Sequence, residues 1–252
     1  MGRRRKGLPI HGWVNFDKPE GMTSTAAVGK IRRLFNAQTA GHAGTLDPLA
    51  QGILPIALGE ATKTVPFMMD AAKTYHFTVC WGVATTTDDR EGDVLETSAH
   101  RPTDADIEDV IGAFIGNISQ VPPAFSAIKL DGRRAYDMAR AGEKPEISAI
   151  NVQVDRLTLV DRPDNDIAQF AVDCGKGTYV RSLARDIALK LGTFGHVHYL
   201  RRTRVGPFDE KSTIGLDILD DLGHIAAEVD ALDAFNAQLK PHLLPLQTVL
   251  DD

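Results

Sequence analysis

Hydrophobic and polar positions follow two periods along this chain, and the switches between them mark its elements. Trp13, Val14 and Phe16 read as a short strand, closed by the turn cluster Asp17-Lys18-Pro19-Glu20-Gly21. Thr23 or Ser24 can cap the helix that follows, in which Val28, Ile31, Leu34 and Phe35 fall at helical spacing. A glycine-rich loop is expected over 40–49. Tyr75, Phe77, Val79, Trp81 and Val83 then alternate with more polar neighbours and share one face of a half-buried strand. Thr103 and Asp106 have the spacing of a capping box, and Ile107, Val110, Ile111, Phe114 and Ile115 form an amphipathic stripe that Gly116 stops. A turn-rich basic loop from Val121 to Arg134 leads into a short helix ending near Gly142. Residues 150–160 and 167–174 read as strands. Gly175 to Thr178 makes a turn, and Thr178 is expected to cap a helix carrying Val180, Leu183, Ala184, Ile187 and Leu191, stopped by Gly192. A last amphipathic helix carries Ile225, Val229, Leu232 and Phe235. Strands and helices mix without a βαβ rhythm, so the expected fold class is α+β.

Composition narrows the class. At 252 residues, 43% hydrophobic and 25% charged, the chain has a globular make-up and the length to bury a core without disulfides. Its apolar runs are far short of the roughly 18 residues that span a bilayer. Arg3-Arg4-Arg5-Lys6 leads into no apolar segment, so no secretory signal is expected. Cys80 and Cys174 form no Cys-x-x-Cys pair, which suits a reducing cytoplasm better than a disulfide or zinc framework. The net charge of −6 hides an asymmetry: residues 209–252 hold ten acids and two bases, Lys211 and Lys240. The remainder therefore has 26 bases against 24 acids, a net of +2. Bases cluster at 3–6, at Lys30, Arg32 and Arg33, at Arg133 and Arg134, and at Arg201, Arg202 and Arg204. Such patches suit nucleic acid, though short runs of this kind are also ordinary solvated surface.

Several chemistry-bearing signatures are missing: no Walker A, Gly-x-Gly-x-x-Gly, His-Glu-x-x-His or zinc-deaminase motif occurs. His196 and His198 can share one strand face, but no carboxylate lies nearby in sequence to complete a metal site. Ser126-Ala-Ile-Lys129 matches the Ser-x-x-Lys of acyl enzymes without their companion motifs. The informative segment runs from Gly41 to Gly52. Its glycines allow close approach of a bulky partner, and Asp47 precedes a proline that biases it to an extended conformation. A loop aspartate held this way can serve as nucleophile or base; it can equally be a plain Asp-Pro turn.

Gly41-His-Ala-Gly-Thr-Leu-Asp-Pro-Leu-Ala-Gln-Gly52 resembles the catalytic-aspartate block of the TruB-type pseudouridine synthases, bacterial enzymes that make pseudouridine in the T-loop of tRNA. Further blocks agree in the same order. They are Asp17-Lys-Pro-Glu-Gly-Met-Thr-Ser24, Leu58-Gly-Glu-Ala-Thr-Lys63, Lys73-x-Tyr75, Val121-Pro-Pro-x-x-Ser-Ala-Ile-Lys129, Gly175-Lys-Gly-Thr-Tyr-Val-Arg-Ser182 and Tyr199-Leu-Arg-Arg202. The resemblance covers about residues 10–208. It implies a pseudouridine-synthase fold with a mixed, largely antiparallel central sheet flanked by helices and loops.

The resemblance also implies isomerisation of the uridine at tRNA position 55, by Asp47-initiated glycosidic cleavage, base rotation and carbon–carbon bond formation after the base is flipped out. Asp47 would be nucleophile or base. Arg181 would pair with it through a bidentate contact. Tyr75 would stack on the flipped uracil and serve its proton transfer. Tyr179 and Leu200 would line the base pocket, and His42 would fill the place of the departed base. Lys18 and Pro19 would be structural. Lys129, Arg133, Arg134, Arg201 and Arg202 would meet phosphates. The implied layout is a basic arm at 1–9 and a catalytic domain at 10–252. The domain includes an RNA-clamping thumb at about 122–150 and an acidic helical extension at 209–252, with no room for a complete C-terminal PUA-type module. No cofactor and no metal are expected. The expected partner is the T-arm stem-loop of tRNA, with no membrane and no protein partner required, for a cytoplasmic monomer. The alternatives are a Ser-Lys acyl hydrolase using Ser126 and Lys129, and a non-catalytic RNA-binding relative.

Overall fold

The computed structural model describes residues 7–130, 132–219, 221 and 242–249. In chain order the first half holds β1 (Gly12–Lys18), α1 (Ser24–Leu34), β2 (Ala40–His42), β3 (Gln51–Leu58), α2 (Val65–Asp70), β4 (Lys73–Trp81), β5 (Val83–Thr85), β6 (Val94–Thr97), α3 (Asp104–Ile111) and β7 (Gly116–Gln120). The second half holds β8 (Lys129–Leu130), β9 (Arg133–Arg134), α4 (Ala135–Arg140), β10 (Ile150–Asp161), β11 (Ile167–Cys174), α5 (Val180–Lys190), β12 (Gly195–Val205) and β13 (Phe208–Asp209). They sort into two compact units, Met1–Lys73 with Arg201–Asp252, and Thr74–Leu200.

The first unit is built on β3, whose residues from Gly52 to Leu58 are all buried. β1 runs antiparallel along one edge, from Gly12 beside Leu58 to Lys18 beside Gly52. The other edge is shared: β12 lies parallel beside Gln51 and Gly52, and β2 lies antiparallel beside Ile56, Ala57 and Leu58. That mixture needs a glycine at position 52. It sits at φ +98°, and a Cβ there would lie 2.2 Å from the Arg202 carbonyl oxygen. Trp13, Ile53, Ala57, Met68, Val205 and Phe208 close the core below, with the Trp13 and Phe208 rings 5.5 Å apart. Helix α1 begins where Thr23 Oγ1 accepts the Ala26 N–H, and it buries Ala27 and Ile31.

In the second unit β4, β11, β10 and β7 are successive neighbours, with β10 antiparallel to both β11 and β7. Phe77 of β4 stacks on Phe170 of β11 at 5.2 Å, and Trp81 meets Phe170 edge-on at 6.2 Å. Helix α5 buries Leu183, Ala184, Ile187 and Ala188. The expected capping box opens α3: the Asp106 N–H donates to Thr103 Oγ1 and the Thr103 N–H donates to Asp106 Oδ2. Strands joined to helices without βαβ repetition make this the α+β fold that the sequence pattern implied, with the mixed, largely antiparallel sheet that the family resemblance implied.

Three local expectations change. The glycine-rich loop begins with a strand, β2, because Gly41 and His42 pair by backbone rather than by apolar pattern. The alternating strand stops at Trp81, since Gly82 turns at φ +87° and Val83 starts the separate hairpin β5–β6. Thr178 does not cap α5. Tyr179 is the capping residue and its N–H donates to Gln120 Oε1 at 2.8 Å, while the Thr178 hydroxyl donates to Gly175 O and holds the preceding turn. The helix expected around Ile225 to Phe235 and residues 1–6 of the arm expected at 1–9 lie outside the described residues, whereas Leu8 is held to the fold as a parallel β-bridge with Ala37. Among the described residues no helix is long and apolar enough to cross a membrane.

Candidate active site

Asp47 lies half-buried on the loop between β2 and β3, and three polar side chains hold that loop within the first unit. Ser24, 4% exposed at the start of α1, donates its hydroxyl to Leu46 O at 3.0 Å and accepts the Leu46 N–H at 2.9 Å. Lys18, 0% exposed at the end of β1, donates to Met22 O at 2.7 Å, Pro19 O at 2.9 Å and Pro48 O at 3.3 Å. Arg202 of β12 is 1% exposed; its Nε donates to Ile53 O at 2.8 Å and its Nη2 to Gly44 O at 3.0 Å. A buried charge spread over several carbonyls is costly to desolvate and strongly directional, so these contacts restrict where the loop can go. His42 precedes the loop on β2. Burial, and secondarily the Arg202 charge, hold its imidazole below the ordinary range, so it is neutral near pH 7.

Arg181 lies in the first turn of α5 in the second unit, 4% exposed. Its Nη1 donates to Thr87 O at 2.8 Å and its Nη2 to Phe125 O at 2.9 Å, with Asp89 Oδ2 3.7 Å from Nη1. Asp89 is equally buried, and its Oδ1 also accepts the Glu91 N–H at 3.0 Å. Sequence reasoning passed over Asp89, because it sits in the polar run from Thr85 to Asp93 that looks like any loop. It passed over Ser24 as anything but a cap, and over Gln120, which has no motif of its own. Tyr75 on β4 and Tyr179 at the mouth of α5 are half-buried, and Leu200 on β12 is buried.

The expected phosphate contacts divide. Lys129 is exposed on β8, and Arg133 on β9 is exposed and paired with Glu143 at 2.7 Å. Arg134 is the backbone partner of Lys129 in the hairpin ladder. Arg202 does not fit a surface role, since its guanidinium is buried in carbonyl contacts. Arg201 is tied to Asp17 at 2.8 Å and Glu210 at 2.7 Å. A motif of consecutive arginines reads as surface, but here one side chain faces into the sheet. Ser126 is buried with its hydroxyl unpartnered, whereas Lys129 is exposed, so the acyl-enzyme pair is not assembled. His196 is buried with Nδ1 3.0 Å from Val83 O, and His198 is exposed. Among the described residues no cluster of His, Cys, Asp or Glu has the make-up of a metal site.

Comparison with known proteins adds three findings. A model described as "TruB family pseudouridylate synthase (N terminal domain)" matches residues 32–180, and one described as "tRNA pseudouridylate synthase B C-terminal domain" matches residues 181–251. A protein of Caulobacter sp. (strain K31) named tRNA pseudouridine synthase B is 54% identical over 100% of this chain and 78% of its own length. One of the same name from Bradyrhizobium diazoefficiens is 57% identical over 99% of this chain and 70% of its own. Among solved structures, the "Crystal Structure of a Cbf5-Nop10-Gar1 Complex" superposes with a TM-score of 0.72 at 31% identity, covering 94% of this chain and 61% of that one. The "Structure of H/ACA RNP bound to a substrate RNA containing 2'-deoxyuridine" gives 0.70 at 26% identity over 99% of this chain and 67% of that one.

Proposed function

The chain belongs to the TruB family of pseudouridylate synthases and isomerises uridine to pseudouridine in tRNA; we propose that its target is the T-loop uridine at position 55 and that Asp47 starts the reaction. The observation that carries the assignment of Asp47 is the loop itself. Buried Ser24, Lys18 and Arg202 each spend hydrogen bonds on the backbone around a half-exposed carboxylate. A plain surface turn needs no such scaffolding, whereas a reacting group must be held to a fraction of an ångström.

The isomerisation breaks the bond from the ribose carbon to N1 of uracil, turns the base, and joins the same ribose carbon to C5; C5 gives up its proton and N1 takes one up. Nothing is oxidised or reduced, so no cofactor or metal is called for. Asp47 acts as nucleophile or base in the first step. Arg181 is the cation that orients it, and Thr87 O, Phe125 O and Asp89 keep the guanidinium in one pose. Tyr75 stacks on the extruded base and serves proton transfer at C5, worth about 1–3 kcal/mol in stacking alone. Tyr179 and Leu200 line the base pocket, and neutral His42 fills the gap the base leaves in the RNA loop. Lys18 and Pro19 are structural. The segment 122–150 clasps the RNA, with Lys129, Arg133 and Arg134 toward phosphates. Arg202, buried in carbonyl contacts, leaves that list, and the partly exposed Arg201 would have to give up Asp17 and Glu210 to meet a phosphate. The T-arm stem-loop is the recognised RNA, and the enzyme works in the cytoplasm as a monomer that requires no protein partner.

The test is Asp47→Asn, assayed by tritium release from C5-labelled uridine in a tRNA transcript with excess chelator present, and paired with filter binding. Turnover below detection with binding within a few-fold is expected, since an amide is a poor nucleophile and base. Near wild-type turnover overturns the assignment.

A further inference from the structure

Helix α5 carries a second arginine on the face that holds the first. Arg185 lies one turn beyond Arg181, the spacing at which side chains stand as neighbours. Arg181 reaches two separate segments, through Nη1 to Thr87 O and through Nη2 to Phe125 O. Arg185 reaches the same two segments one step along: Nη1 donates to Asp88 Oδ2 at 2.8 Å and Nη2 to Val121 O at 2.7 Å. Its Nε donates to Asp186 Oδ1 at 2.9 Å. Val121 O accepts a further hydrogen bond from the Ser182 hydroxyl at 2.8 Å. The two guanidiniums thus form consecutive rungs between the loop at 87–89 and the root of the RNA-clasping segment at 121–125.

The loop is built to present its two acids separately. Asp88 adopts φ +59°, the left-handed region that Asp and Asn tolerate better than other side chains. Its backbone is fixed from the other side, where the Val197 N–H donates to Asp88 O and the Arg90 N–H donates to Val197 O, both at 3.0 Å. With the main chain turned this way, Asp88 meets Arg185 while Asp89 faces Arg181.

We propose that Arg185, with Asp88 as its counter-ion, is a positioning residue for the uridine isomerisation: it fixes the loop and the segment whose carbonyls aim the Arg181 guanidinium. The inference rests on the reading of Arg181 as the cation that orients Asp47. Only an arginine suits the place, since its planar fork serves Asp88 and Val121 O together, where a lysine offers a single point of charge. Burial pushes the Asp88 carboxyl up, against the pull of the Arg185 and Arg181 charges and with a smaller push from Asp186. When the Asp88 charge is removed Arg185 keeps Asp186 Oδ1 and Val121 O, so the guanidinium is not left unpaired and the change acts on the loop's geometry more than on folding.

The experiment measures kcat, KM and thermal unfolding for Arg185→Gln, Arg185→Lys, Asp88→Asn and the double variant Asp88→Asn/Arg185→Gln, beside Arg181→Lys. Asparagine keeps the left-handed backbone of position 88. Each Arg185 or Asp88 variant is expected to lower kcat by about ten- to a hundredfold, the scale of a misplaced reacting group, with KM within about threefold. The double variant is expected to be no slower than Arg185→Gln alone, because both changes cut one link. Asp88→Asn should melt near the wild-type temperature. Wild-type kcat in Asp88→Asn and Arg185→Gln, effects that multiply in the double, or a loss carried by KM alone overturns the inference. Should Arg185→Gln fail to fold, Asp88→Asn decides by the same criterion. A slow Arg181→Lys beside normal Arg185 variants refutes the positioning role alone, whereas a wild-type rate in Arg181→Lys refutes the reading of Arg181 itself.

Discussion

Replacing Ser24 with alanine removes one oxygen from the protein and exposes how firmly the Asp47 loop is held. The helix start is spared, because the cap is Thr23 and its bond to the Ala26 N–H remains. What is lost is the pair of hydrogen bonds to Leu46, one accepted from its N–H and one donated to its carbonyl, both buried. Each buried group left unpaired costs about 1–3 kcal/mol. With some relaxation and water entry the pair costs about 2–3 kcal/mol. For a chain of this size each kcal/mol lowers the melting temperature by about 2–4 °C, so a fall of roughly 4–12 °C is expected. Leu46 adjoins Asp47, so the loosened backbone also carries the carboxylate. A displacement on the order of 1 Å costs about 100-fold in rate, and single-turnover tritium release at saturating tRNA should fall at least tenfold while filter binding changes little. Melting within about 1 °C of wild type together with an unchanged rate would show that the Ser24 hydroxyl does not secure the loop.

Three further outcomes follow from the contacts. Asp89→Asn removes the carboxylate beside Arg181 and, as for other broken buried pairs, should cost about 3–5 kcal/mol; urea unfolding should show a lower midpoint with an unchanged slope. Because the folded state holds His42 below its unfolded pKa, the unfolded chain binds the extra proton as pH falls. Stability from this site is therefore complete above about pH 6.5 and declines below it, and His42→Gln should flatten that part of a melting-temperature profile. Lys129→Ala should reduce the slope of log binding constant against log salt by about 0.7–0.9, the share of one phosphate contact; an unchanged slope removes Lys129 from the RNA surface.

The sequence was most legible where a local rule decided the structure. Thr103 and Asp106 formed their capping box because both partners lie within one turn, and β10 and β11 appeared close to the segments their apolar pattern marked. Reading failed where the partner is distant. Thr178 has the right chemistry for a cap, yet the donor at the start of α5 is satisfied by Gln120, 59 residues away. Arg202 looks like a surface base beside Arg201, and only the parallel pairing of β12 with β3 turns it inward to Gly44 and Ile53. Family motifs singled out Asp47, His42, Tyr75 and Arg181 in the sequence. Ser24, bonded to Leu46 beside Asp47, Asp89, beside Arg181, and Arg185, bonded to Asp88, were not singled out, because a hydroxyl, an acid and a base carry no signal until the backbone brings their partners close.

The three clamps on the Asp47 loop reach it at different times during synthesis. Ser24 and Lys18 are separated from their loop acceptors by 22 and 30 residues. Arg202 follows its acceptors at Ile53 and Gly44 by 149 and 158 residues, with the whole of Thr74–Leu200 made in between. At about 5–20 residues per second that gap lasts roughly 8–30 s. Throughout it a growing chain carries a loop held by Ser24 and Lys18 alone, without the Arg202 contacts to Gly44 and Ile53. The same interval leaves the edge of β3 at Gln51 and Gly52 without the strand that covers it. An open edge invites pairing with other chains, so the time spent making residues 74–200 is also the time for which that edge stays exposed.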